Sequence, residues 1–223
     1  MGNQIRTDLE ELPGRMRDLP VDDRGYPVPY FVAWLDGKPE FRAMDPMKWI
    51  CAVREHLCWV CGEKLGVYQT FVLGPMCGMT RTTSEPPCHL ECARWSARNC
   101  PFLARPRMVR REGGMEEADV AGIALKRNPG VAMLWTTRSF EIFEDDAGKP
   151  LIRIHDPGSI EWWAEGGPAT REEVARSVET GIPLLLEATG PEGPEEMAHL
   201  AARKAWLETT YPAATSSGLG AGA

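Results

Sequence analysis

Two apolar-rich runs within residues 30–44 flank Asp36-Gly37, and this pattern predicts a β-hairpin because both turn residues tolerate positive φ. Asp45-Pro46 then reads as a helix start, with Asp as N-cap and Pro in the first helical position. Met47, Ile50, Val53 and Leu57 follow at helical spacing and deliver the chain to Cys58-Trp59-Val60-Cys61-Gly62. Residues 67–73 have strand character and stop at Gly74-Pro75. A polar loop leads to a helix over residues 87–98, with Leu90, Ala93 and Ala97 on one face. Residues 131–137, 139–144 and 151–155 predict a three-stranded antiparallel meander, with Asp145, Asp146 and Gly148 in its second turn. Thr170 and Glu173 form a capping box for a helix carrying Val174 and Val178 and ended by Gly181. A last helix is expected over residues 194–210, with Met197, Leu200, Ala201 and Ala205 inward.

Residues 1–25 are polar, interrupted by Pro13 and Pro20, and predict a flexible N-terminal arm. Residues 213–223 are small and predict a disordered tail. Between them the chain divides into a hairpin, helix and zinc module over 26–112 and an α+β lobe over 113–212, separate or continuous with it. The fold class is therefore α+β: a β-hairpin and helix leading into a treble-clef-like zinc module, followed by the meander and two helices. No internal repeat is present.

Length and composition narrow the setting. The chain has 223 residues and 43% apolar content, enough for one sizeable core or two small lobes. Its net charge of −7 argues against a molecule coated in positive potential, while a local basic patch stays compatible with that sum. No run approaches the roughly 18 apolar residues of a membrane span. The first residues lack the apolar centre of a secretory signal, and Arg6 stands where a myristoylation signal prefers Ser or Thr. A cytoplasmic location is expected, and there the seven cysteines read as ligands or free thiols.

Cys58-x-x-Cys61 followed by Gly62 has the form of a zinc knuckle: a tight turn brings two thiolates to one centre, and glycine lets the backbone approach the sulfurs. His89-x-x-Cys92 lies at the start of a predicted helix, where side chains three apart point the same way. Knuckle, β-segment and a helix supplying the second pair is the order of treble-clef folds, over about residues 56–100. Cys58, Cys61, His89 and Cys92 would make a closed Cys3His set holding one structural zinc. Two other readings are a pair of buried thiols beside an unrelated histidine, and an iron–sulfur site drawing on Cys77, Cys88 or Cys100. Cys88 is an alternative to His89 as third ligand; the spacing to Cys92 favours His89. Cys51, Cys77 and Cys100 receive no role from the zinc pattern.

Several enzyme classes fit poorly. An HNH-type nuclease needs a general-base histidine on the hairpin, and residues 67–76 contain none. His89-Leu90-Glu91 matches the first half of a zinc-deaminase signature, but no P-C-x-x-C follows; Glu91 then reads as a surface residue near Arg94. Cys77, in a glycine-flanked loop, is the candidate nucleophile if the protein is an enzyme. The favoured reading is a small residue packed against the zinc loop. The terminal GLGAGA has no preceding strand or following helix and is no phosphate loop.

Arg94, Arg98, Arg105, Arg107, Arg110 and Arg111 fall within eighteen residues that contain no acid. Arginine forks suit phosphate, so this stretch is the candidate nucleic-acid surface; the competing reading pairs these arginines with acids elsewhere in the chain. The acidic C-terminal lobe, with Trp162, Trp163 and Trp206, is a candidate contact for a protein partner.

The segments RGYPVPYFVAW, LCWVCGEKLG, FVLGPMCGMTR, NCPFLARP, NPGVAML and GGPATREEV together resemble an uncharacterised family of small zinc-site proteins from high-GC bacteria and their phages. The resemblance spans about residues 24–187 and implies a single coherent α+β unit, with no mechanism attached. The expected function is a non-enzymatic structural-zinc protein that binds nucleic acid or a complex containing it. A protein-interaction or inhibitor module, phage-encoded in one version, and an enzyme using Cys77 are the alternatives.

Overall fold

The computed structural model describes residues 4–104, 128–189 and 194–213. Asp36 and Gly37 take φ of 50° and 76° and join β1 (Val32–Leu35) to β2 (Lys38–Met44) as the expected antiparallel hairpin. Asp45 caps α1 (Pro46–Glu55), its carboxylate accepting the backbone N–H of Met47 and Lys48 at 2.9 and 3.3 Å. The helix ends at His56, whose left-handed φ of 53° turns the chain into the cysteine knuckle.

β3 (Gln69–Leu73) follows, but the polar loop expected after it contains a helix, α2 (Pro75–Thr80), with Met76 and Met79 buried. Gly74-Pro75 reads as a strand stop; here it is also a helix start, with Pro75 in the first turn. β4 (Thr82–Thr83), α3 (Leu90–Asn99) and α4 (Pro101–Ala104) complete this half. The second half carries β5 (Ala132–Thr137), β6 (Phe140–Glu144), β7 (Pro150–Ile154), β8 (Ser159–Ala164), β9 (Gly167–Pro168), α5 (Arg171–Thr189) and α6 (Pro194–Glu208). The α+β class holds.

The pairing of the strands differs from the meander. β5 does not pair with β6; it lies between β3 and β8 in a four-stranded antiparallel sheet of order β3-β5-β8-β9. β6 and β7 form a hairpin in a second sheet of order β4-β7-β6. Burial supplies the reason. Every residue of β5 is buried, so both its faces need cover and both its edges need partners, whereas β6 is mostly exposed and stays at an edge. β8 has no counterpart in the predicted elements. It takes up the Trp162-Trp163 pair.

The two faces of the β5 sheet carry separate cores. Phe71, Leu73, Met133, Trp135, Trp162 and Ala164 face a cluster that includes Met76, Met79, Ile152, Ile154, Val174, Val178 and Leu207. The alternate residues Val72, Leu134 and Trp163 pack on the other side against Cys58, Cys92, Ala93, Trp95 and Ala97. Residues from both expected lobes thus build one sheet. The tryptophans expected at a protein contact are largely spent inside: Trp162 is 5% exposed and donates to the Thr210 carbonyl at 2.9 Å, and Trp206 packs on Trp135.

Two further expectations are corrected. The N-terminal segment is not a free arm where it is described, because Leu12 and Met16 are buried in the core around Cys58, Cys92 and Trp95. Ile5, Leu9 and Leu19 pack partly buried beside them, scattered among polar residues and prolines without a regular period. α5 starts at the expected capping box, with the Thr170 backbone N–H donating to the Glu173 carboxylate at 2.7 Å. It then runs through Gly181 and Pro183 to Thr189. Gly181 is not a stop: a Cβ there would sit about 3.0 Å from the Met76 sulfur, so glycine lets α2 and α5 approach closely. No helix among the described residues is long and apolar enough to cross a membrane.

Candidate metal centre

The knuckle is built by backbone before any ligand is considered. Cys58 N–H donates to the Glu63 carbonyl at 2.7 Å and Gly62 N–H donates to the Cys58 carbonyl at 2.8 Å, closing a tight loop. Gly62 has φ 79°, and a Cβ there would lie 2.8 Å from the Tyr30 ring, so the turn and the adjacent chain both require glycine. Tyr30 and Phe31 donate to the Val60 and Trp59 carbonyls, and the Phe31 and Trp59 rings stack at 5.3 Å. The segment before β1 therefore braces the knuckle.

The second pair sits at the start of α3. His89 is its N-cap residue and Cys92 lies in its first turn. One ligand atom from each of Cys58, Cys61, His89 and Cys92 falls within 4.8 Å of the others. Tetrahedral bonds of about 2.3 Å to sulfur and 2.0 Å to nitrogen need separations somewhat shorter, so a small inward movement completes the shell. The surroundings are those of metal thiolates. The backbone N–H groups of Cys61 and His89 both donate to the Cys58 sulfur at 3.4 Å. His89 Nδ1 lies 3.4 Å from the Cys61 sulfur, while its Nε2 is 3.1 Å from the Lys64 carbonyl. A hydrogen bond from Nε2–H to that carbonyl fixes the tautomer and leaves the Nδ1 lone pair for a cation.

The electrostatics agree. The Cys58 thiol is held far below its ordinary range by hydrogen bonds from Cys61, then Cys92 and His89. Cys92 is pushed up, chiefly by its hydrogen bonds to the Cys58 and Cys61 sulfurs. His89 is pushed up to about 10 by its hydrogen bonds to Cys58 and Cys61. Protons gather on this cluster because it is electron-rich, and a divalent cation would replace them. Cys88 stands outside the set: it is buried, pushed well up, chiefly by burial, and its thiol donates to the Thr70 carbonyl at 3.2 Å. None of the seven cysteines forms a disulfide.

An outer layer of ion pairs holds the centre together. Arg15, from the N-terminal segment, bridges Glu63 beside the knuckle and Glu91 on α3. Glu91 therefore partners Arg15 rather than Arg94. Arg94 makes a forked contact with Glu161 on β8, with Nε at 3.0 Å from Oε2. Arg98 pairs with Glu10 at 2.7 Å and its guanidinium lies 5.4 Å from the Trp163 ring centre. Arg94 and Arg98 thus have carboxylate partners within the chain, while Arg105, Arg107, Arg110 and Arg111 lie outside the described residues. This arrangement of Arg15 has no local sequence signal; its partners Glu63 and Glu91 are 48 and 76 residues away.

The Arg94–Glu161 pair has a measurable signature. Arg94 holds the half-buried Glu161 carboxyl below its ordinary value, helped by the Trp163 indole N–H. A depressed carboxylate adds stability above its unfolded-state pKa of about 4.3 and loses it as pH falls through the folded-state value. Glu161→Gln is expected to cost about 0.5–1 kcal/mol at pH 7, given the pair's partial exposure. The gap between variant and parent should close on acidification below that value; urea titrations at several pH values check it, and a gap independent of pH would refute the assignment.

Cys77 is half-buried on the opposite face, packed against the core around Met76. Burial, with the Glu85 carboxylate, pushes its thiol up to about 11, away from the thiolate that a nucleophile requires. Comparisons of the chain with protein-family models, with curated proteins and with solved structures gave no match.

Proposed function

We propose that Cys58, Cys61, His89 and Cys92 bind one zinc ion as a structural staple, in a treble-clef-like module, and that the protein acts by binding rather than by chemistry at the metal. The observation that carries this reading is the convergence of three sulfurs and one imidazole nitrogen within 4.8 Å. Four protein ligands fill a tetrahedral zinc shell and leave no position for substrate or activated water. Sulfur-rich donors also favour zinc over magnesium or calcium, which take oxygen.

Nucleic acid, or a complex containing it, is the partner that the arginine-rich stretch supports. Because Arg94 and Arg98 already have carboxylate partners, the weight of that reading rests on Arg105, Arg107, Arg110 and Arg111. Elemental analysis of the purified chain is expected to give about one zinc per polypeptide. Fluorescence-anisotropy titration with single- and double-stranded DNA and RNA should show binding that weakens with salt and is lost in Arg105→Ala/Arg107→Ala. Absence of binding at low salt would remove the nucleic-acid reading and leave the zinc reading standing.

A second reading, a protein-binding module, is favoured by one observation. Trp34 and Leu35 on the hairpin are 44% and 58% exposed, and Met47 and Ile50 on α1 are 65% and 46% exposed. These four lie on elements consecutive in the chain, and exposed apolar side chains that join in one patch mark contact surfaces. A stable co-purifying protein, released by Trp34→Ala, would favour it over nucleic acid.

A further inference from the structure

A second polar site lies away from the metal ligands, where the chain passes from β5 to β6. Two adjoining grooves share Arg138 and Ser139. One is bounded by Tyr68, His155, Asp156 and Ser159, the Asp156 carboxylate being paired with Arg81, and the other by His56, Gln69 and Ile142. Two of the four histidines of the chain therefore stand around one arginine and one serine.

Three features of this place bear on what it can bind. Arg138 is exposed and has no carboxylate partner among the described residues. Its Nη2 donates to the Tyr68 hydroxyl at 3.2 Å, and its guanidinium lies 5.2 Å from the Tyr68 ring centre. Most other arginines described are held in ion pairs, so this cation is left available for an anion. Gln69 is 8% exposed, and the oxygen of its carboxamide is fully buried without a hydrogen-bond partner among the described residues. That orphan is an acceptor closed off from the groove surface, so it offers nothing to a phosphate oxygen and the anion must be held by other groups. The third feature is the hydrogen bond between Ser139 Oγ and His155 Nδ1, at 2.8 Å. Whichever atom donates, a donor is left over: the imidazole Nε2–H if serine donates, the serine hydroxyl if the imidazole does.

We propose that this groove binds a phosphate group. Arg138 supplies a guanidinium fork, and the Ser139–His155 pair supplies a further donor in each of its tautomers. A phosphate has enough acceptor oxygens to use both together, and arginine forks match its geometry. The exposed Tyr68 ring offers an aromatic face to a group esterified to the phosphate. The site does not depend on the metal reading, since none of its residues is a candidate ligand of the Cys58 centre.

The test uses the full chain with its metal retained, titrated by calorimetry with inorganic phosphate and with phenyl phosphate at constant ionic strength. Saturable binding is expected, weakened about tenfold or more by Arg138→Gln, because a charge-assisted contact is lost. Ser139→Ala should weaken it as well. Both positions are exposed, so both variants are expected to melt as the parent does, and melting curves verify that they are folded. Tighter binding of phenyl phosphate supports an aryl or nucleoside phosphate as the natural ligand, and equal binding supports free phosphate. No saturable binding by the parent chain, or unchanged affinity in Arg138→Gln, would overturn the proposal.

Discussion

Cys58→Ser is expected to abolish zinc binding and to unfold the metal-side core together with the sheet it covers. Cys58 is fully buried, accepts two backbone N–H groups at its sulfur and anchors the knuckle through its own N–H and carbonyl. A serine hydroxyl is a poor zinc ligand at neutral pH and leaves the two N–H groups short of an acceptor. Structural zinc contributes on the order of 10 kcal/mol or more in small modules, comparable with the whole stability of about 5–15 kcal/mol for a typical domain. The variant should be recovered metal-free, with its near-ultraviolet circular dichroism lost. Chelation of the parent chain should reproduce that spectrum, and at lower pH with less chelator, since the ligands then bind protons in place of the cation. A metal-free chain with native dichroism would refute the structural-zinc reading.

The second large effect is expected from Trp135→Ala, on the face away from the metal. Trp135 has no exposed surface, packs against Trp206 with ring centres 5.3 Å apart, lies under the Arg81 guanidinium and donates its indole N–H to the His155 carbonyl at 3.0 Å. Truncating a buried tryptophan costs about 3–5 kcal/mol through lost burial and the cavity left behind. Urea unfolding should show an unfolding free energy lowered by that amount, seen as a lower midpoint at unchanged slope, with zinc content retained while the chain is folded. A loss below about 1 kcal/mol would mean that this core collapses into the space without penalty, contrary to the packing of Trp206 and Ile154 around it.

What the sequence made legible follows from the range of the chemistry involved. The Asp36-Gly37 turn, the Asp45-Pro46 helix start and the Thr170/Glu173 capping box each depend on residues within four positions of one another. The structure shows all three. The four candidate ligands were legible for the same reason: each pair is set by a local turn, and only their meeting needs the fold. The strand pairing was not legible, because β5 finds β3 more than sixty residues upstream and β8 downstream, and nothing in Met133, Leu134 or Trp135 names those partners. Its unbroken apolar run does carry the signature of a strand covered on both faces, which argues against a place in a one-sided meander. α2 was hidden by brevity and by the double meaning of Gly74-Pro75. Gly181 was misleading because its lack of a side chain serves packing against Met76 rather than chain termination. The phosphate groove was invisible for a similar reason, since Tyr68, Arg138 and His155 come from three separate stretches of chain.

β5 is the common floor of both cores: Leu134 belongs to the metal side, and Met133 and Trp135 belong to the other. Neither side can come apart without stripping one face of the same strand. The two halves of the molecule are therefore expected to melt as a single cooperative unit, with the backbone amides of β5 exchanging mainly through global opening. Withdrawing the metal should accelerate that exchange on the distal side as much as on the near one.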